Sequence, residues 1–348
     1  MRLAIGFRPA GEDDWEGGAR FAADAEAAGV DVITTAETWG YDAATPVGYL
    51  AAFTKRAKLA TGIMQVASRS PANIAMISMA LNAMSKGRFI CGLGASGPQV
   101  VEGWHGVPFK GTQQRLRETI EIVRIISRGE RAAYNGKYFT LPLPGGEGKA
   151  LRSGAKPTEF PIYLATLSPK GLGLTGELAD GWFGTSFIPE HADVFTNHIA
   201  AGAAKTGRAL KDITLQVAAG VVQFSDDVEK LIPPRRPGLA FTLGAMGSAQ
   251  HNFYNDAYKR AGYDEEARYV QRLWLEGKRE EAAAAVPDEM VLKTNLIGTE
   301  RMIRDRVRTH RDAGINTLAV QIEGGTREEK LNTLERLAAI VREEAPEA

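Results

Sequence analysis

The residues whose types and spacing most clearly suggest chemistry lie in GRFICGLGASGPQVVEGWHG, residues 87–106, where Gly92-x-Gly94-x-x-Gly97 follows an apolar run. Glycines so spaced let backbone N–H groups approach an anion, and the pattern matches a dinucleotide-binding turn. Such a turn opens a long helix in the first strand-turn-helix unit of its domain. Here the chain beyond Pro98 meets Gly103, Gly106 and Pro108 almost at once, and Glu118 falls in a helical pattern rather than at a strand end. Two uses remain for the loop. It is a phosphate cradle, in which Gly94 and Gly97 turn the chain over a ligand and Ser96 adds a hydroxyl, or a tight turn that merely closes the loop.

The elements around it decide where it sits. Short apolar or β-branched runs at 3–8, 32–37, 58–66, 88–94, 162–166, 182–185, 213–224 and 317–323 alternate with helical patterns. That alternation predicts a parallel sheet, and eight strand-helix units predict an α/β fold, a (β/α)8 TIM barrel with insertions, as one domain over 1–348. The glycine loop then follows the fourth strand, on the C-terminal face where barrels bind ligands. Three segments stand outside the repeat, one of them the stretch between the sixth and seventh runs, where 191–205 looks helical; the other two are insertions. Residues 131–160 carry Asn135-Gly136, the turn pair of a two-residue hairpin, and a Gly-rich loop; residues 228–291 are helical and rich in aromatics.

Lysine plus arginine and aspartate plus glutamate each number 42. No net field draws nucleic acid or an anionic membrane, so the expected partner is a small molecule. The lone cysteine, Cys91, sits in an apolar run and reads as a buried thiol; the five histidines show no metal-ligand spacing, so no metal is expected. His105 reads as a rim or structural histidine. With no stretch of 18 apolar residues, the expectation is a soluble cytoplasmic protein.

Three stretches, VITTAETWGYDAATP, GRFICGLGASGPQVVEGWHGVPF and LGAMGSAQHNFYNDAYKRAGY, resemble the luciferase-like monooxygenase superfamily. Within it the match is to the branch that uses the deazaflavin coenzyme F420, such as methylene-tetrahydromethanopterin reductase. The resemblance spans essentially the whole chain and implies a barrel holding the deazaflavin at its C-terminal face, commonly in a homodimer.

It also places residues. In similar proteins the third strand ends in a bulge with a non-proline cis peptide behind the ring system; here TGIMQVASRSP makes Gly62–Ile63 the candidate bond, with Met64 and Gln65 lining the ring. For the coenzyme's phosphate, donors without bulk are offered by Gly94, Ser96 and Gly97, by Thr166, Leu167 and Ser168, and by Gly184 and Thr185. Ser168-Pro169 also starts a helix whose free N–H groups suit an anion. Lys149, Arg152 and Lys156 are candidates for the anionic tail, or a solvated basic loop. Glu37, with Trp39 close behind, would orient substrate or pass a proton, unless it is a surface glutamate. Phe253, Tyr254, Tyr258 and Tyr263 would cover the substrate or pack a helix pair. Alcohol-oxidising relatives carry an Asp-His pair and a fourth-loop glutamate where this chain has Glu37-Thr38 and Ala95-Ser96, which argues against alcohol oxidation, since that reaction needs a base. The reading is a coenzyme F420-dependent oxidoreductase acting by hydride transfer on a small C=C or C=N acceptor. The alternatives are an FMN-dependent monooxygenase and a non-catalytic flavin-binding protein.

Overall fold

The computed structural model describes residues 1–11, 13–247 and 252–346. Eight parallel strands form the barrel wall: β1 (Arg2–Gly6), β2 (Val32–Thr35), β3 (Lys58–Thr61), β4 (Phe89–Gly94), β5 (Ile162–Ala165), β6 (Gly181–Gly184), β7 (Thr214–Phe224) and β8 (Thr317–Ile322). Each pairs with the next, and β8 pairs with β1 through Arg2↔Thr317 to Ile5↔Val320, so the sheet closes on itself. This is the predicted (β/α)8 barrel.

Eight helices clothe it: α1 (Trp15–Ala27), α2 (Ala44–Phe53), α3 (Pro71–Met84), α4 (Thr112–Ser127), α5 (Pro169–Leu178), α6 (Asp193–Ala204), α7 (Glu300–Asp312) and α8 (Arg327–Glu344). Their starts follow local chemistry. Ser70 and Ser168 each cap a helix by accepting the amide three residues on, Asn73 and Gly171, and each is followed by a proline at the first helical position. Cys91 is buried against the Ser78 hydroxyl, and burial pushes its thiol up to about 12, as fits a structural thiol.

Inside the barrel, Ala4, Val32, Ala60, Ile90 and Tyr163 pack with Phe183 and Ala319. Tyr163 and Phe183 lie 5.2 Å apart and are the bulky pair of an otherwise slender lining. The strand β3 breaks after Thr61 and resumes as Met64–Gln65 alongside Leu93–Gly94 of β4. The intervening Gly62–Ile63 bond is cis.

The stretch after β7 forms helices Arg236–Gly244, Phe253–Arg260, Asp264–Leu275, Arg279–Ala284 and Asp288–Thr294 around a small apolar core, whereas 191–205 is no extra segment: it contains α6, the barrel helix between β6 and β7. Residues 248–251, part of the third stretch quoted above, lie outside the described residues.

The hairpin is a correction. Asn135 pairs with Thr140, leaving a four-residue loop rather than a two-residue turn. The cause is Glu118 of α4: its buried carboxylate accepts the amides of Lys137, Tyr138 and Phe139 at 2.8–2.9 Å, which holds the loop open. Among the described residues no helix is long and apolar enough to cross a membrane.

Candidate active site at the barrel mouth

Alternation along the strands turns Gly6, Gly62, Gly94 and Ala165 inward above the Tyr163–Phe183 floor. A Cβ on Gly6 would meet open space, and one on Gly94 would lie 2.8 Å from the Ile63 side chain and 3.7 Å from Ala165. The mouth is therefore lined largely by backbone and small side chains.

Glu37, just beyond β2, is not the surface carboxylate one alternative supposed. Its side chain is 8% exposed, and both oxygens are engaged. Arg69 Nη1 and Nη2 donate to Oε1 and Oε2 at 2.7 Å each, while the amides of Gln65 and Ala43 donate to the same two oxygens at 3.0 Å. Burial alone would raise the Glu37 pKa, but the Arg69 fork and these amides hold it below the ordinary carboxylate value. A carboxylate so occupied is a poor proton carrier and a good brace. It joins the loop after β2, the bulge after β3 and the approach to α3. Trp39 stands at the rim, 58% exposed.

In the bulge, Met64 does not face the mouth: it is fully buried in the layer between strands and helices. Gln65 is equally buried, and its side-chain nitrogen donates to the carbonyls of Thr38 at 2.9 Å and Glu37 at 3.4 Å. What the bulge offers the mouth is half-exposed Gly62 and Ile63. The Gln65 side-chain oxygen meets His105 Nε2 at 3.2 Å, so a histidine read as a rim residue joins the network around Glu37.

In the glycine loop, Ser96 has φ of 59°, the left-handed region a serine enters only at a cost, and Gly97 precedes the short helix Pro98–Val101. In the loop after β5, Ser168 caps α5, while the Thr166 hydroxyl is turned into the helix against Thr175 at 2.7 Å. Leu167 is buried, and its carbonyl accepts from Arg260 Nη2 at 2.7 Å. Arg260 is half-buried, its Nε has no partner among the described residues, and burial lowers its pKa. After β6, Gly184 makes room for the Trp182 ring rather than for the mouth, Thr185 is half-exposed, and Ser186 again has positive φ, 51°.

The aromatics of the insertion divide. Phe253 and Tyr254 pack against the barrel core, whereas Tyr258 and Tyr263 belong to the insertion's own core. Lys149, Arg152 and Lys156 are exposed, but their loop is tied along α4, through Ala132 N to Leu151 O and Thr158 N to Ser127 O. That flank is on the outside of the barrel, which leaves the solvated reading. Arg69, Arg260 and the role of His105 escaped the sequence reading. The only sequence signal for Arg69 was an arginine beside the Ser70-Pro71 helix start at the end of the third strand.

A closed parallel barrel with the loops of successive strands gathered over its mouth defines a (β/α)8 enzyme, a fold whose active sites lie at the C-terminal ends of the strands. The chain belongs to the luciferase-like monooxygenase family, whose model matches residues 4–317. It is similar to a Mycobacterium tuberculosis protein whose name ascribes to it coenzyme F420-dependent oxidoreductase activity, with 35% identity over 329 residues, 92% of this chain and 94% of that one. It is also similar to the 5,10-methylenetetrahydromethanopterin reductase of Archaeoglobus fulgidus, with 28% identity over 76% of this chain and 77% of that one. Among solved structures, the coenzyme F420-dependent tetrahydromethanopterin reductase of Methanopyrus kandleri has the same fold, with a TM-score of 0.79 and 21% identity over 96% of this chain and 97% of that one.

Proposed function

We propose that this enzyme uses coenzyme F420 to transfer hydride to or from a small organic molecule with a C=C or C=N bond. The observation that carries the reading is the mouth's lining of residues without bulk, Gly6, Gly62, Gly94 and Ala165 above Tyr163 and Phe183, with open space over Gly6, which suits a flat ring system. The names of the relatives support a deazaflavin there.

The residues fit such a group. Gly62, Ile63 and Gly94 would support the ring. The α5 start, capped by Ser168, would meet the phosphate together with the remaining donors of Arg260, a half-buried cation that among the described residues donates one hydrogen bond and lies over the Phe195 ring. Ser96, Gly97 and Thr185 would add donors from the neighbouring loops. Three non-glycine residues of positive φ, Asp13, Ser96 and Ser186, lie in loops that follow barrel strands, where strain is commonly stored for function. When bound, the reduced coenzyme supplies the hydride. The protein's part is to hold donor and acceptor at about 3–3.5 Å and to exclude water, which Phe253 and Tyr254, partly buried against the barrel core, would assist. For the homodimer, the adjacent α2 and α3 offer exposed Tyr49, Met76 and Met84 as a shared apolar face.

Single-turnover oxidation of the reduced-F420 complex by a panel of enones and imines tests the reading, run beside oxygen uptake with reduced FMN. Oxidation by an organic acceptor without oxygen supports it. Oxygen uptake with FMN would indicate a monooxygenase, and inertness in both would indicate a binding protein.

A further inference from the structure

We infer that His105 is the proton carrier of the reaction, held in one tautomer by Gln65, and that the acceptor is therefore a neutral C=C or C=N rather than a preformed iminium cation. This rests on the hydride-transfer reading above.

The Gln65 side chain has no freedom to turn over. One end faces the carbonyl oxygens of Thr38 at 2.9 Å and Glu37 at 3.4 Å, so it must be the NH2 end, since two acceptors cannot bond each other. Its backbone is equally fixed: the Gln65 amide donates to Glu37 Oε1 at 3.0 Å, and its carbonyl accepts from the Ser68 hydroxyl at 2.9 Å. The oxygen end is then the atom 3.2 Å from His105 Nε2. An amide oxygen only accepts, so Nε2 carries a hydrogen in every protonation state. The neutral ring therefore keeps its free lone pair on Nδ1, and among the described residues Nδ1 has no hydrogen-bond partner.

A ring anchored through one nitrogen and free at the other is built to exchange protons at the free one. Two neighbours strengthen the assignment. Glu37, the nearest carboxylate in the network, is engaged by Arg69 and two amides. Gln65 lies two residues beyond Ile63, which with Gly62 would support the ring system, so its partner His105 would stand near the reacting centre.

The step balances. The acceptor carbon gains the hydride, and the adjoining nitrogen, or the carbon at the other end of the double bond, gains the proton from Nδ1. The imidazolium becomes neutral imidazole and keeps its Nε2 hydrogen on Gln65. The one proton released as the coenzyme is oxidised restores the imidazolium through solvent. An iminium cation needs no proton to complete its reduction, so a dedicated carrier would be idle.

Two measurements test this. The first needs no coenzyme: long-range 1H–15N correlation spectra of the apoprotein, with His105→Gln to assign the signal. The expected result is the Nε2–H tautomer, lost to a mixture in Gln65→Leu; an Nδ1–H tautomer, or identical spectra in wild type and Gln65→Leu, would overturn the anchoring. The second is single-turnover oxidation of the reduced-F420 complex by 2-cyclohexenone and by neutral imines. His105→Gln is expected to slow it by about 100-fold or more with F420 affinity held within about 2-fold, and added imidazole should restore His105→Ala. An unaltered rate in His105→Gln, or reduction confined to iminium salts, would overturn the proton role. Failure of the wild type to bind F420 would instead overturn the function proposed above, and the spectra would still decide the anchoring.

Discussion

Glu37 and Arg69 meet as a two-pronged fork, Nη1 on Oε1 and Nη2 on Oε2, both at 2.7 Å, across 32 residues of sequence. With side chains 8% and 13% exposed, neither charge has much water to fall back on. Removing one partner strands the other, at a cost of about 3–5 kcal/mol, whereas replacing both with apolar groups costs far less. Denaturant titration should therefore find Glu37→Leu destabilised by about 3 kcal/mol or more and Glu37→Leu/Arg69→Leu closer to wild type. A catalytic Glu37 would show the reverse, lost turnover in Glu37→Gln with stability unchanged. Because Glu37's pKa is lowered on folding, its contribution is present above about pH 4.5 and fades as acid protonates it below that value.

The three glycines of Gly92-x-Gly94-x-x-Gly97 should separate by function. A Cβ on Gly92 would lie 1.8 Å from the Thr61 carbonyl oxygen, a backbone atom that cannot move aside, so Gly92→Ala is expected to cost about 3 kcal/mol. On Gly94 the obstacle is the end of the Ile63 side chain at 2.8 Å, so Gly94→Ala should fold and weaken F420 binding by about tenfold. On Gly97 the nearest atom is 3.7 Å away, and Gly97→Ala should be nearly neutral in stability. Thermal unfolding and fluorescence titration of the three variants give both readouts.

His310 predicts an acid-sensitive fold. It is 2% exposed, its Nδ1 bonds the Arg306 carbonyl at 2.8 Å, and burial lowers its pKa from 6.5 to about 4. Between those values the unfolded chain takes up a proton that the folded protein refuses. The stabilising contribution is thus complete above pH 6.5 and is lost progressively down to pH 4, by about 3 kcal/mol at about 1.4 kcal/mol per pH unit. Melting temperature followed from pH 7 to pH 4 should fall less steeply in His310→Gln than in wild type.

Arg260 should distinguish the phosphate from the ring. Arg260→Gln is expected to weaken F420 about tenfold, or about 1.4 kcal/mol, while leaving the affinity for the phosphate-free deazaflavin core unchanged. Equal losses for both ligands would make Arg260 a strut for the Leu167 loop alone.

How much of this was legible follows from which forces are local. The eight strands were legible because a parallel barrel strand is a short apolar run with a helix behind it, and Ser70-Pro71 and Ser168-Pro169 announced their helices by cap chemistry alone. The third run, 58–66, read as one strand because nothing in its composition reveals that Gly62 and Ile63 interrupt the ladder. The resemblance implies the bulge but not which way its side chains turn: Met64, expected to line the ring, points instead into the layer between strands and helices. Asn135-Gly136 obeyed a strong local rule and lost to Glu118, a carboxylate 17 residues earlier in a helix. Arg69, Arg260 and the role of His105 are not legible in the sequence because each draws its meaning from a partner distant along the chain: Glu37, Leu167 and Gln65.

The central claim is that the mouth lined by Gly6, Gly62, Gly94 and Ala165 takes a deazaflavin. Its most direct test is a fluorescence titration of the purified protein with coenzyme F420 and, in parallel, with FMN at fixed ionic strength. Tighter binding of F420 by tenfold or more is the predicted result; equal or tighter binding of FMN would contradict it.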